Sequence, residues 1–229
     1  MNTKSPTSRV VAIDGPGGSG KSTVAKAVGV ALGLDVLDTG AMYRAVTYAV
    51  LRDGIDPSDE DAIAALVERT KIIVDDRVLV DGVDATEAIR GPEVTAAVSA
   101  VSAHPRVRVI VVGQQRAWIA ERSGGVVEGR DIGTVVAPDA MLKVFLDASE
   151  EVRARRRQGD ELAADREVKV EQLRADMARR DHLDSSRAMS PLRAAVDAVR
   201  IDTTDRAVEE VVSEVLALVS EAVEVSGEQ

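Results

Sequence analysis

The chain has 229 residues and a formal net charge of −10, from 29 lysines and arginines against 39 aspartates and glutamates. This length is sufficient for one globular domain with a substantial core. The acidity argues against a general polyanion binder that coats nucleic acid, and the aromatic content of 2% offers no stacking surface for single strands. Any anion-binding site must therefore be a local concentration of positive charge.

The cysteine content and the apolar runs indicate where the protein works. The chain has no cysteine, which excludes disulfides and cysteine-based metal sites and fits a reducing cytoplasm. The N-terminal segment is polar, and no run approaches the roughly 18 apolar residues that span a bilayer. We therefore expect a cytoplasmic protein that is neither secreted nor inserted in a membrane.

The predicted elements alternate between strands and helices along the chain. Segments of strand character are 10–14, 35–38, 126–128, 142–147 and 199–202. Helical patterns or glycine-rich turns follow them, and such alternation is typical of a parallel sheet covered by helices on both faces. The expected fold class is α/β, with a five-stranded parallel sheet wrapped by helices.

The turn after the first strand reads GPGGSGKS over residues 15–22 and fills every fixed position of the phosphate-binding pattern G-x-x-x-x-G-K-[ST]. Its glycines allow successive backbone N–H groups to face one anion, and a helix beginning near Lys21 adds its partly positive N-terminus. Lys21 is expected to reach the β- and γ-phosphates of a nucleotide, and Ser22 to offer its hydroxyl to Mg²⁺. The alternative, a glycine-rich turn that binds nothing, is disfavoured by the strand before it and the helix after it. The expected nucleotide-binding residues are Gly15, Pro16, Gly17, Gly18, Ser19, Gly20, Lys21, Ser22 and Thr23.

One segment interrupts the alternation of strands and helices. Residues 71–74 and 77–80 are short β-prone runs around Asp75-Asp76, and an Asp81-Gly82 turn follows them. This pattern is typical of a small antiparallel sheet inserted into a fold of another kind. The sequence leaves open whether the insertion takes part in binding or is an ordinary hairpin.

Polar motifs follow four of the predicted strands. They are the glycine-rich loop, Asp38-Thr39-Gly40, GRDIG over residues 129–133, and Asp147-Ala148-Ser149. Because ligands of open α/β sheets bind beyond the carboxyl ends of the strands, we expect these motifs to share one edge. No aspartate among them is specific alone, because an aspartate at a strand end is often a helix cap or a turn residue, and that is the interpretation preferred for Asp147.

Two arginine-rich segments stand out in this acidic chain, RARRR over residues 153–157 and RRDHLDSSR over residues 179–187. Solvated helix faces and complements to a helix dipole are the ordinary explanations. The first segment follows the fourth strand and precedes Gln158-Gly159-Asp160, and we expect irregular structure from residue 158 to residue 165. A lid that brings arginines over transferring phosphates is therefore the alternative.

The rarity of asparagine and histidine in the sequence limits the functions and the kinds of acceptor that it allows. Asn2 is the only asparagine, so the guanine-reading N-K-x-D motif of GTPases is absent. His104 and His182 are the only histidines, and neither has metal-ligand spacing or lies beside an obvious nucleophile. A phosphate acceptor needs no general base, because its second pKa of about 6 leaves it largely dianionic at neutral pH. The missing base therefore favours a phosphate over a hydroxyl as the acceptor.

Taken together, these motifs resemble the bacterial cytidylate kinases, which are P-loop nucleoside monophosphate kinases, over roughly residues 10–219. The strings that carry the resemblance are IDGP (13–16), DTGAMYR (38–44), PRVR (105–108), GRDIGTVV (129–136) and FLDA (145–148), with Arg180-Asp181, Asp184, Arg187 and Pro191-Leu192. The resemblance implies the P-loop nucleoside monophosphate kinase fold, ATP as phosphoryl donor, Mg²⁺ as cofactor and CMP or dCMP as acceptor. We expect a monomer with no nucleic-acid or membrane partner. The expected bounds are one domain over 10–225, with a core of 10–65 and 105–225, an acceptor-binding insertion of 66–104 and a lid of 153–170.

The resemblance also implies roles for individual residues. Those expected to contact the cytosine base are Ser99, Arg108 and Asp131, and Asp184 would accept hydrogen bonds from the sugar hydroxyls. The expected clamps on the acceptor phosphate are Arg44, Arg130 and Arg187, and Thr39 and Tyr43 also lie on the substrate side. The expected catalytic cations are Lys21, Arg156, Arg157 and Arg180. Base chemistry agrees with this assignment, because the cytosine amino group donates to a carboxylate whereas uracil presents an oxygen.

Two other functions stay open at this point. One is a P-loop kinase for another acceptor, such as UMP, AMP or a small metabolite, and the other is a non-catalytic module whose ATP binding changes a surface for a partner. The acceptor-side residues Arg130, Asp131, Asp184 and Arg187 argue against the second. The sequence also leaves open whether Asp14 or Asp38 orders a metal-bound water.

Overall fold

A computed structural model of the protein describes residues 8–163 and 166–227. The strands are β1 (Ser8–Asp14), β2 (Val36–Asp38), β3 (Ile72–Val74), β4 (Val78–Val80), β5 (Val83–Asp84), β6 (Gly124–Gly129), β7 (Ala140–Asp147) and β8 (Val199–Asp202). The helices are α1 (Lys21–Leu32), α2 (Thr39–Arg52), α3 (Glu60–Arg69), α4 (Pro92–Val101), α5 (Pro105–Arg122), α6 (Glu150–Ala163), α7 (Val170–Ser186) and α8 (Val208–Gly227). A short 3₁₀ helix spans Ala88–Arg90, and a π-helical turn spans Ile132–Val136. The described chain packs as two compact units, residues 8–36 with 123–227 and residues 37–122.

The main sheet has the strand order β2-β6-β1-β7-β8. Strand β1 pairs in parallel with β6 and with β7, and β7 pairs in parallel with β8. The predicted five-stranded parallel sheet is therefore confirmed, with strands close to the predicted positions. Parallel strands place their carboxyl ends at one edge, so the loops that follow β1, β6 and β7 lie together there.

A hydrophobic core lies between the main sheet and two helices, α1 and α8. Its strand residues are buried on a sheet covered by helices, which is why these strands appear in the sequence as nearly continuous apolar runs. The core consists of Val11, Ile13, Val24, Ala25, Val28, Val126, Leu142, Val144, Leu146, Ile201, Val211, Val215 and Val219.

The unit formed by residues 37–122 contains α2 to α5 and an antiparallel sheet of order β3-β4-β5. The small antiparallel sheet is confirmed, but the sequence predicts only its first two strands. The third strand, β5, has two exposed residues that pair with β4, and two residues are too few to produce a periodic pattern. Two helices of this unit begin with carboxylate caps, since Asp38 accepts from Ala41 N at 2.8 Å and Asp59 accepts from Ala62 N at 2.9 Å.

Helix α6 continues through most of the segment for which the sequence predicts irregular structure. Residues 158–163 are helical although Gly159, a residue that costs a helix about 1 kcal/mol relative to alanine, lies among them. Side-chain pairs stabilise this turn, because the buried carboxylate of Glu161 binds both Arg157 and Arg166. Residues 164–165, which complete the predicted segment, lie outside the described residues. The predicted insertion and lid bounds stay predictions.

Candidate functional site

The turn between β1 and α1 has the backbone geometry of an anion site. Gly20, the residue before α1, has a φ of +89°, a left-handed conformation that glycine adopts most readily. Gly15 approaches β7 so closely that a Cβ atom there would lie 2.0 Å from the carbonyl oxygen of Leu146. Since Gly20 offers no side-chain cap to α1, the first N–H groups of that helix are suited to bind a phosphate.

Lys21 lies folded against this turn. Its Nζ donates to the carbonyl oxygen of Pro16 at 2.7 Å and lies 3.5 Å from Ser19 Oγ, and the residue is only 7% exposed. The ammonium group is therefore already at the loop. Ser22 and Thr23, in contrast, are exposed on the first turn of α1, where the Ser22 hydroxyl is an oxygen ligand of the kind that Mg²⁺ prefers.

Three arginines gather around one buried carboxylate in the unit that contains the glycine-rich loop. Arg130 Nε forms an ion pair with Asp184, while Arg187 Nη2 lies 3.6 Å and Arg180 Nε lies 4.0 Å from its carboxylate oxygens. Burial opposes ionisation, but the charges of these arginines hold the pKa of Asp184 below its usual value. Arg130 Nη1 also lies 3.5 Å from the carbonyl oxygen of Gly15. Asp181 and Glu128 also act on Arg130 through their charges, and the three guanidinium groups lie in the same unit as the loop.

Replacing Asp184 with alanine should destabilise the protein by about 3–5 kcal/mol, because it removes the buried partner of these guanidinium groups. A carboxyl group with a depressed pKa contributes stability above its unfolded pKa of about 3.9 and loses it as the pH falls through the lower folded value. Urea denaturation of both proteins should therefore give a constant difference between pH 5 and 8 and a smaller one below about pH 4. A difference that grows on acidification would contradict this pairing.

Arg153 connects the glycine-rich loop to α7, a role that sequence reasoning missed. Its Nη1 donates to the carbonyl oxygen of Gly17 at 3.1 Å, its Nε donates to that of Ala148 at 3.1 Å, and Nη1 also pairs with Asp181. The run RARRR does not say which arginine faces the loop. Helical spacing gives no signal that singles out Arg153, since both i, i+3 and i, i+4 neighbours share a helix face and residues 156 and 157 are equally placed beside it.

The structure separates the two predicted catalytic arginines of α6. Arg156 Nη2 donates to the carbonyl oxygen of Thr203 at 2.7 Å, and its Nη1 lies 3.5 Å from that of Gly18. Arg157 pairs with the buried carboxylate of Glu161, one turn later in the same helix. Arg156 therefore touches the glycine-rich loop in this structure, and the role of Arg157 stays a prediction.

Asp131 is buried at the start of the π-helical turn that follows β6. Its carbonyl oxygen accepts from the N–H groups of Val135 at 2.8 Å and Val136 at 3.2 Å. The turn places Arg130 and Asp131 directly before the π-helical residues, so the position of both depends on how the turn is held.

Two predicted substrate residues contact each other within the unit formed by residues 37–122. The guanidinium carbon of Arg108 lies 5.0 Å from the ring centre of Tyr43, a cation–π distance. Arg108 is only 2% exposed, and its Nη1 donates to the carbonyl oxygen of Ser102 at 3.1 Å. These contacts fix the direction of the Arg108 side chain, and the substrate roles of Arg108 and Tyr43 stay predictions.

The other predicted residues of that unit lie on α2 and α4. Arg44 Nη1 donates to the carbonyl oxygen of Ile89 at 3.1 Å and contacts Thr95 Oγ1 at 2.9 Å. Thr39 is buried at the first residue of α2, and Ser99 is half-buried in α4. These contacts fix the direction of Arg44, and the substrate roles of all three stay predictions.

Comparison with known proteins decides the family. The family model for cytidylate kinase matches residues 11–221 of the chain. The chain belongs to the cytidylate kinase family. The cytidylate kinase of Mycobacterium avium (strain 104) is 52% identical over 222 residues, which cover 95% of this chain and 97% of that protein. The cytidylate kinase of Desulfitobacterium hafniense (strain Y51) is 48% identical over 218 residues, which cover 93% of this chain and 94% of that protein.

A solved structure supports the fold of this member of the cytidylate kinase family. A gluconokinase from Sinorhizobium meliloti 1021 aligns over 98% of both chains, with a TM-score of 0.51 and 18% identity. At this identity the likeness concerns the fold alone. The resemblance to the cytidylate kinases and the fold class are thus both confirmed, whereas the individual site residues stay predictions.

Proposed function

We propose that the protein transfers the γ-phosphoryl group of ATP to CMP or dCMP, giving ADP and CDP or dCDP. The observation that carries the proposal is the presence, in one compact unit, of a complete P-loop with Lys21 folded onto it and of three arginines around Asp184. The first feature suits the donor triphosphate, and the second offers three guanidinium groups, which are suited to bind further phosphates by charge-assisted hydrogen bonds. Family membership favours a cytidine nucleotide as the acceptor.

Transfer proceeds directly between the two nucleotides. An oxygen of the acceptor phosphate attacks the γ-phosphorus of ATP, and the bond to the bridging oxygen breaks as ADP leaves. The acceptor phosphate is largely ionised at neutral pH, so the chain supplies no general base and forms no covalent intermediate. Catalysis consists of positioning and charge neutralisation. The proposed cations are Lys21 for the donor phosphates, Arg156, Arg157 and Arg180 for the transferred group, and Arg44, Arg130 and Arg187 for the acceptor phosphate.

The proposed cofactor is Mg²⁺, bound together with ATP. The exposed Ser22 hydroxyl fits this ion, which takes its remaining ligands mainly from phosphates and water. When bound, Mg²⁺ neutralises phosphate charge. Within residues 8–163 and 166–227 no group of three or more histidine, aspartate or glutamate side chains could hold a metal ion.

Asp131 is proposed to select cytosine by accepting a hydrogen bond from its amino group. Replacing Asp131 with alanine should therefore raise the KM for CMP about 10- to 100-fold, the range for losing a hydrogen bond to a charged group. The KM for ATP should change little, because the donor site keeps all its groups. Steady-state kinetics with each nucleotide varied in turn measures both, and Asp139→Ala, an exposed carboxylate, is the control. Equal increases in the two KM values would contradict the assignment of Asp131 to the cytosine base.

The acceptor is tested with a coupled assay of ADP formation on CMP, dCMP, UMP, AMP and shikimate. We expect CMP and dCMP to give the highest kcat/KM, since a buried mismatch of donor and acceptor discriminates by up to about 10⁴- to 10⁵-fold. A higher value for another acceptor would assign the protein to that substrate. ATP binding without turnover on any acceptor would instead support a non-catalytic interaction module.

We further propose that the protein acts as a monomer in the cytoplasm without nucleic-acid or membrane partners. The charge of −10 and the absence of cysteine support this proposal. No helix within the described ranges 8–163 and 166–227 has the length and apolar character needed to cross a membrane. Size-exclusion chromatography with light scattering tests the oligomeric state, and a mass of two chains would contradict it.

A further inference from the structure

We infer that Asp14 is a positioning residue for the acceptor nucleotide, because its carboxylate holds the turn that carries Arg130 and Asp131. The inference rests on the function proposed above and deepens it. Asp14 itself ends β1 and directly precedes the P-loop, yet its side chain is bound by the turn that follows a different strand, β6.

The two carboxylate oxygens of Asp14 bind two successive backbone N–H groups. Oδ1 accepts from Ile132 N at 2.8 Å, and Oδ2 accepts from Gly133 N at 2.8 Å. Because each N–H group has its own oxygen, the turn is fixed both in position and in rotation. Asp14 is only 3% exposed, so solvent does not compete for these hydrogen bonds.

The turn needs a partner of this kind. Its later N–H groups are satisfied within the turn, since Val135 and Val136 donate to Asp131 and Ala137 donates to Ile132. The first N–H groups of a helical turn have no such partner, and Ile132 and Gly133 are both buried. The Asp14 carboxylate supplies the hydrogen-bond acceptors that the turn does not provide for these two N–H groups.

Side chains of β1 and β7 pack closely against the turn at Gly133. A Cβ atom at Gly133 would lie 3.1 Å from Lys143 Cδ and 3.4 Å from Asp14 Oδ2. Lys143 is itself held in place, because its Nζ donates to both carboxylate oxygens of Asp197 at 2.8 and 3.0 Å. The turn is thus packed between side chains of β1 and β7, and a change in its hydrogen bonds to Asp14 should displace Arg130 and Asp131.

The charges around Asp14 agree with this role. Burial raises the pKa of its carboxyl group to about 6, while the hydrogen bonds from Gly133 and Ile132 and the charge of Lys21 lower it and the charge of Asp131 raises it. At neutral pH the group is ionised, which is the form that accepts both hydrogen bonds. Both oxygens bind N–H groups of the turn, and these contacts are what support a positioning role for Asp14.

The first test is Asp14→Asn, which keeps the size of the side chain but turns an NH₂ group toward one of the two N–H donors. We expect the KM for CMP to rise about tenfold and the KM for ATP to change less than about threefold, as for the loss of one buried hydrogen bond. The ratio of kcat/KM for CMP to that for UMP should also fall in this variant, because Asp131 moves. The control is Val127→Ala, a buried change in β6 that should lower the melting temperature without separating the two KM values.

The second test uses the wild-type protein. In NMR spectra recorded between pH 4 and 8, the amide protons of Ile132 and Gly133 should titrate together, with a midpoint near the Asp14 pKa of about 6. Independent or absent titration, or an Asp14→Asn variant whose two KM values rise equally, would overturn the inference. If wild-type protein forms ADP with CMP but Asp14→Asn shows no separation of KM values, only this inference fails. If the wild type forms no ADP with CMP, the proposed function fails.

Discussion

Replacing Arg180 with alanine should lower kcat about 10³- to 10⁵-fold, the range in which single arginines act on phosphoryl transfer. Its guanidinium group belongs to the cluster around Asp184, with Nε 4.0 Å from a carboxylate oxygen. In the transition state, negative charge spreads over the transferred group, and loss of one cation there is not compensated by the remaining arginines. The measurement is ADP formation at saturating ATP and CMP.

The neighbouring arginine provides a matched control for this change. The Arg179 side chain is 74% exposed, and its Nη2 pairs with Asp176 at 3.0 Å on the surface of α7. Arg179→Ala removes the same charge from the same helix and should leave kcat unchanged, because exposed pairs contribute little. Similar kcat values for Arg180→Ala and Arg179→Ala would show that Arg180 takes no part in the reaction.

Replacing Lys21 with alanine should lower kcat about 10²- to 10³-fold, as expected for removing one preorganised donor from a transition state. Lys21 Nζ lies at the glycine-rich loop, 2.7 Å from the carbonyl oxygen of Pro16, and is proposed to turn to the β- and γ-phosphates. The same assay measures the effect.

The control for Lys21 is Lys26→Ala, an exposed lysine on the same helix. It should change neither kcat nor the KM for ATP, because its charge is solvated. If Lys21→Ala formed ADP in the presence of CMP as fast as the wild type, the assignment of the P-loop would be wrong.

The main sheet and the P-loop could be predicted because their sequence signals are local. Buried parallel strands such as β1 and β7 require continuous apolar runs, and phosphate binding by backbone N–H groups requires glycines at fixed spacing, as at Gly15 and Gly20. The order of the strands in the sheet could not be predicted in the same way, because crossover connections separate strands that are neighbours in the sheet. Their order depends on packing between distant residues, which no short motif encodes.

The parts that the sequence did not predict depend on contacts between distant residues. Helix α6 passes Gly159 because Glu161 is paired with Arg157 and Arg166, and Arg166 lies beyond the end of that helix. Arg153 binds the carbonyl oxygen of Gly17, which is far from it in the chain. Asp14 is an aspartate at the end of a strand, a pattern shared by many turn residues, and only the fold shows that the turn after β6 uses it.

Transfer of the γ-phosphoryl group to CMP is tested most simply by following the γ-phosphorus of ATP. Incubation of the protein with ATP labelled at the γ-phosphate and unlabelled CMP should place the label in the β-phosphate of CDP, with ADP formed in equal amount and only when CMP is present. Label that appears in inorganic phosphate, or on the protein itself, without labelled CDP would contradict the proposed function.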